Sequence, residues 1–193
     1  MTLAIDNARS SIAQELLKIL GEGTEYIMDP CDPYHERFLF CGGFLKGSEI
    51  AETSRADVSA AWHRNFADIA AQCDIILAHN AHAKICIVGS ESGFAGSYDM
   101  AYAGAKAAMH LYIEKKKLLT PEQQLVGIAP TVIWDSGMTQ RRTDLEECEA
   151  KGKARRRGRW LLAHEVARVA HFLLYQDEGA ISNTVIRVTG GNW

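Results

Sequence analysis

Short runs rich in Ile, Val and Leu recur along the chain, each separated from the next by a stretch with apolar residues at helical spacing. This alternation constrains the fold more than any other feature of the sequence. Residues 3–6 form the first run, and 8–20 follow with helical periodicity closed by Gly21 and Gly23. Residues 25–28 predict a second strand, 29–36 hold Pro30 and Pro33 and exclude a long helix, and 37–41 predict a third strand ended by Gly42-Gly43. A long helix is predicted over 57–79, a strand over 85–88, a helix over 101–117 and a strand over 125–129 ended by Pro130. A helix over 160–175 and a strand over 184–188 complete the pattern. Strands apolar on both faces and interleaved with helices predict an α/β fold, a doubly wound parallel sheet of about six strands covered by helices on both faces. No repeat or linker interrupts it, so residues 1–193 read as a single domain.

Composition removes several function classes. The net charge of −3 and pI near 6.2 argue against capture of nucleic acid. No apolar run approaches the ~18 residues that would span a bilayer, and the first ten residues do not read as a signal peptide. Cys31, Cys41, Cys73, Cys86 and Cys148 are an odd set without a C-x-x-C pair, which predicts a reducing, cytoplasmic setting without disulfide or zinc. His79 and His82 have no third ligand nearby in sequence, so no metal is expected.

Open parallel sheets bind ligands beyond the carboxyl ends of their strands, which places chemistry after Asp6, Cys41, Val88 and Ala129. After the fourth strand comes Gly89-Ser90-Glu91-Ser92-Gly93. Twelve positions beyond Ser90 lies Tyr102, and Lys106 follows at i+4 on the same predicted helix face. A phenol is a poor base at neutral pH. An ammonium about 4 Å away at an effective ε near 20 is worth roughly 4 kcal/mol, or about three pKa units, enough to bring Tyr102 into working range.

At these residues the chain resembles the short-chain dehydrogenase/reductase family, whose site reads Ser and then Tyr-x-x-x-Lys. The resemblance implies a Rossmann-like fold, with Tyr102 as general acid/base and Ser90 as hydrogen-bond partner of the substrate oxygen. Lys106 would lower the Tyr102 pKa and bind the nicotinamide ribose. Asn65, in Trp62-His63-Arg64-Asn65-Phe66, matches an Asn that the family carries on the preceding long helix. The segment 128–133 resembles the family's Pro-Gly stretch past the nicotinamide, with Pro130 and Ile133 against the cofactor and Thr131 replacing Gly. Ser136 stands for the Thr that holds the carboxamide, and 185–191 resembles the C-terminal strand and double glycine.

The glycine-rich turn departs from this pattern. Asn7, Ser11 and Ala13 occupy the three glycine positions, Asn because it tolerates a left-handed backbone and Ala because it is an accepted third residue. Ser11 puts a side chain where backbone should approach pyrophosphate; Arg9 and Ile12 complete the turn. The Ser-Ile-Ala ending is similar to the divergent enoyl-reductase branch, which however spaces its Tyr and Lys more widely. Asp29, about twenty residues on, favours NAD(H) through the ribose hydroxyls, whereas Arg9 is placed to hold a 2′-phosphate. Cys41-Gly42-Gly43 stands for the family's Asn-Ala-Gly and should also line the cofactor. Only eight residues separate Met28 from Arg37, where the family inserts a helix, strand and helix. The implied deletion leaves the strand order 2-1-3-4-5-6 and a shallow adenine pocket.

The implied activity is NAD(P)(H)-dependent interconversion of a carbonyl and an alcohol. Two alternatives remain open, a nucleotide sensor or scaffold without turnover and a dehydratase or epimerase using the same Tyr-Lys pair. A homodimer or homotetramer is expected through the helices 57–79 and 101–117, because Met109, Leu111 and Tyr112 add apolar surface beyond Lys106. The competing arrangement buries them against 160–175. The basic run Lys151, Lys153, Arg155, Arg156, Arg157 and Arg159 reads first as a self-paired helix, with Glu147/Lys151 and Glu149/Lys153 at i, i+4. Its other reading is attraction of an anionic substrate. Trp134 is expected beside the nicotinamide.

Overall fold

In the computed structural model, residues 2–28, 30, 32–46 and 53–191 are described. Six strands form one sheet: β1 (Leu3–Ile5), β2 (Tyr26–Ile27), β3 (Arg37–Phe40), β4 (Lys84–Val88), β5 (Gln124–Pro130) and β6 (Thr184–Val188). Every pairing is parallel and the order is β2-β1-β3-β4-β5-β6, as the short link between Met28 and Arg37 predicts. Successive strand residues point to opposite faces, and each face buries its own set. Leu3, Ile5, Leu39, Cys86, Val88, Val126 and Ile128 pack with helices α1 (Ser11–Leu20) and α8 (Ala163–His171). Ala4, Phe38, Phe40, Ile85, Ile87, Leu125 and Ala129 pack with α3 (Asp68–His79) and α5 (Met100–Lys115). Both sets are almost wholly buried, which is why these strands carry few polar residues.

The predicted helix 57–79 is instead two α-helices, α2 (Arg55–Trp62) and α3, joined by the π-helical turn His63–Ala67. Such an extra residue in a helix redirects the side chains it carries, and here it carries buried Asn65. The predicted helix 160–175 starts later, at Ala163, because Leu161 pairs as an isolated parallel bridge with Ile133; it ends in a second π-turn, Phe172–Gln176. Short helices α4 (Ser92–Ala95) and α6 (Gly137–Gln140) sit just past the ends of β4 and β5, and α7 (Leu145–Lys153) follows. Helix α5 packs on α2 and the π-turn across the sheet from α8, so the alternative burial of its apolar side against 160–175 does not occur. Among the described residues, no helix is long and apolar enough to cross a membrane.

Candidate active site

Beyond the carboxyl ends of β1, β3, β4 and β5 lies a cleft of about 610 Å³. Its far end is the start of α1, where Asn7, Arg9, Ser11 and Ile12 line the wall. Ser10 occupies the N-cap position but its hydroxyl caps nothing; it interacts with the Cys41 thiol instead. The first amides of α1 thus lack a side-chain acceptor and face a cleft, an arrangement suited to an anion. Asn7 does not use the left-handed region: Asn183 is the sole described non-glycine with positive φ. The turn therefore reaches α1 without the backbone that the glycine pattern implies, and Ser11 begins the helix.

The floor is Cys41, Gly42 and Gly43. Asp6, at the end of β1, holds this loop: its carboxylate accepts from Cys41 N–H at 2.7 Å and from Gly42 N–H at 2.9 Å. A Cβ on Gly42 would stand 2.6 Å from Asp6 Oδ2, so only glycine fits. Burial pushes the Asp6 carboxyl above its usual range, opposed by these two amides and by the charge of Lys106. The sequence reading missed Asp6, because an acid at a strand end is indistinguishable from a turn residue.

Tyr102 and Lys106 enter from α5. Asp99 caps this helix by accepting from Tyr102 N–H at 2.9 Å, which fixes the helix start at the residue that matters. Ser90 follows β4 and shares a side-chain hydrogen bond with the Tyr102 phenol. Ser90, Tyr102 and Lys106 all line the cleft, as do Pro130, Ile133 and Ser136. Pro130 ends β5, and Ser136 caps α6 by accepting from Thr139 N–H at 3.2 Å.

The electrostatics differ from those the spacing suggests. The Lys106 Nζ lies 5.8 Å from the Tyr102 ring centroid and donates to Val88 O at 3.0 Å. Burial pushes the Tyr102 phenol up, Ser90 pulls it down and Asp99 adds to the rise; Lys106 contributes no resolved lowering. The ammonium serves the strand end and Asp6 rather than the phenol. Burial brings Lys106 itself down to about 8, with Asp6 opposing.

Asn65 does not line the cleft. It is fully buried, accepting from Phe44 N–H at 3.1 Å and donating to Phe44 O at 2.7 Å and Ala61 O at 2.8 Å. Its place on the π-turn makes it a positioning residue for the loop after Gly43. Trp134 is likewise absent from the wall, where Trp160 takes the aromatic place. Asp29 lies outside the described residues.

Sequence reasoning also passed over His110, one turn beyond Lys106. It is 4% exposed, accepts from Ser90 N–H at 3.4 Å and packs tilted against Phe94 with centroids 4.5 Å apart. A Cβ on Gly89 or Gly93 would come within 2.4 or 2.5 Å of its ring, which explains both glycines around Ser90. Burial first, and Lys106 second, lower His110 to about 4, so it is neutral and able to accept.

No family model matches the sequence, and no curated protein matches it. Solved structures do match in shape. The ligand-free aldohexose dehydrogenase of Thermoplasma acidophilum superposes with a TM-score of 0.81 at 15% identity, covering 98% of this chain and 92% of that one. An oxidoreductase of the short-chain dehydrogenase/reductase family from Burkholderia thailandensis gives 0.81 at 18% identity, covering 98% and 91%. ElxO, solved with NADP bound, gives 0.80 at 16% identity, covering 98% and 97%. The chain has the short-chain dehydrogenase/reductase fold. Among the described residues none between Ala13 and Phe40 lines the cleft.

Proposed function

We propose that the protein is an NAD(P)(H)-dependent oxidoreductase that interconverts a carbonyl and an alcohol. The observation that carries this reading is the meeting of Ser90, Tyr102 and Lys106 in a cleft that also takes in the uncapped start of α1. The residues fit a dinucleotide: bare helix amides for pyrophosphate, Gly42 and Gly43 as a floor without side chains, and Pro130, Ile133 and Ser136 as a wall. When bound, the nicotinamide supplies or accepts a hydride at its C4. Tyr102 gives its phenolic proton to the carbonyl oxygen as the carbonyl carbon is reduced, and takes it back in the reverse direction. Ser90 donates a hydrogen bond to the same oxygen. Lys106, buried between Val88 O and Asp6, would bind the ribose hydroxyls and orient the ring, which its burial in the cleft wall supports.

NAD(H) is the favoured cofactor on the position of Asp29 past β2, while Arg9 in the cleft wall supports a 2′-phosphate and ElxO was solved with NADP. Separate titrations with NADH and NADPH, followed by fluorescence of the reduced nicotinamide, are expected to give saturable binding for at least one. Absence of binding to both would refute the assignment. Binding without turnover of any carbonyl or alcohol would instead support a nucleotide sensor.

The same reading includes self-association as a dimer or tetramer. Trp62, Phe66, Tyr112 and Leu111 form a continuous apolar row across α2, the π-turn and α5, with Leu111 58% exposed. Light scattering at micromolar concentration should give at least twice the 21.3 kDa of one chain; the mass of one chain would reject it.

A further inference from the structure

We propose that His110 is a positioning residue for the reaction, which through the Ser90 N–H holds the serine hydroxyl against the Tyr102 phenol. This rests on the oxidoreductase reading and adds to it a residue that does not line the cleft. The starting point is the end of β4, where the strand loses a neighbour. Its pairing with β3 stops at Phe40↔Ile87, whereas its contacts with β5 run on. Gly89 N–H donates to Ile128 O at 2.7 Å and Glu91 N–H to Pro130 O at 2.8 Å. Val88 O and Ser90 N–H, on the alternate side, face the margin that β3 has left. Buried backbone groups need partners there. Helix α5 supplies both, one turn apart. Lys106 Nζ donates to Val88 O at 3.0 Å, and Ser90 N–H donates to His110 Nε2 at 3.4 Å.

The ring is set for that contact. A neutral imidazole has one nitrogen that donates and one that accepts, so accepting at Nε2 puts the proton on Nδ1. Nδ1 is buried and has no hydrogen-bond partner among the described residues. An unpartnered buried N–H costs stability, and an apolar side chain would fill the same space without it. What the histidine adds is the bare Nε2 at Ser90. The chain also makes room for it: a Cβ on Gly93 would stand 2.8 Å from Nδ1.

The other contacts of Ser90 are of a different kind. Its hydroxyl accepts from Ser92 N–H at 3.2 Å, and its carbonyl accepts from Gly93 N–H at 3.0 Å. These close the turn on itself. The His110 bond instead ties the turn to α5, the helix that carries Tyr102. Serine and tyrosine are thereby referred to one rigid element. A hydroxyl that must meet both the phenol and a substrate oxygen needs its place held to about 0.5 Å.

The test is a double-mutant cycle between His110 and Ser90. Leucine fills the place of the ring without an acceptor, and glutamine carries an acceptor at the reach of Nε2. H110L is expected to lose about tenfold or more in kcat, with KM and the Kd of the reduced cofactor moving less than about twofold. H110Q should keep at least about a third of the wild-type kcat; a loss as large as that of H110L overturns the proposal. In an S90A background H110L should cost less than about twofold, because the serine through which it acts is gone. An equal loss with and without the Ser90 hydroxyl overturns the proposal and leaves the oxidoreductase reading standing. If H110L does not fold, H110N, too short to reach Ser90 N–H, takes its place in the cycle. If no carbonyl or alcohol is turned over, the oxidoreductase reading fails, and NMR still decides the positioning. The ring proton of His110 is expected on Nδ1, and the Tyr102 Cζ resonance should move in H110L as it moves in S90A. A proton on Nε2, or a resonance that stays in place in either variant, overturns it.

Discussion

Tyr102→Phe is expected to lose at least about a hundredfold in turnover while still binding reduced cofactor with near wild-type affinity. The phenol is buried and hydrogen-bonded to Ser90, and burial holds its proton on at neutral pH. The resting group is therefore an acid, suited to giving a proton to a carbonyl oxygen, and reduction should be the faster direction near neutral pH. Phenylalanine keeps the ring packing and removes only the hydroxyl. The lost hydrogen bond should cost about 1 kcal/mol of stability, too little to unfold the chain. Steady-state rates and cofactor titration on the same preparation separate the two effects. A variant that keeps more than about a hundredth of the wild-type rate would remove Tyr102 from the proton-transfer role.

Lys106→Met is expected to abolish the reaction and yet raise the stability of the protein without cofactor at neutral pH. Lys106 is 2% exposed, and its ammonium is held by one carbonyl, Val88 O, and by the charge of Asp6. Burial brings it down from an ordinary 10.5 to about 8. Between those two values the unfolded chain keeps a proton that the native chain has released, so stability rises with pH across that window. Below about 8 both forms are charged and the full cost of burial applies. Methionine of similar length removes that cost, about 3 kcal/mol for a fall from 10.5 to about 8. Denaturant melts at pH 7 and pH 10 should show the variant's advantage at 7 and a smaller one at 10. A variant less stable than wild type at pH 7 would mean that the pairing with Asp6 outweighs desolvation.

The sheet was legible in the sequence because Ile85–Val88 and its counterparts are apolar on both faces, and only burial between two helix layers permits that. The strand order followed from the resemblance taken together with chain length, since the eight residues between Met28 and Arg37 cannot hold the helix, strand and helix that the family inserts there. The π-turn was not legible: His63–Ala67 has ordinary helix-forming residues, and one extra residue per turn leaves no mark on composition. The spacing of Tyr102 and Lys106 placed both in one cleft. It could not say that the ammonium would choose Val88 O over the phenol, because that acceptor comes from another strand. Asp6 and His110 were hidden for the same reason. Each is defined by partners distant in sequence, Cys41 and Gly42 for one, Ser90 for the other. The glycines at 89, 93 and 152 were the visible trace of such neighbours, since each makes room for a ring.

The two-residue length of β2 bears on how the protein avoids sticking to itself. A sheet that ends in a long flat strand offers a template on which any extended chain can grow. Here the margin of the sheet is a short strand, between Gly21 and Gly23 on one side and Pro30 on the other. Tyr26 and Ile27 are exposed and apolar, the composition that invites addition of a strand. Two residues offer too few amides for a foreign chain to hold, and proline adds none. A sheet that closes on so short a strand has a border at which further strands find little to hold.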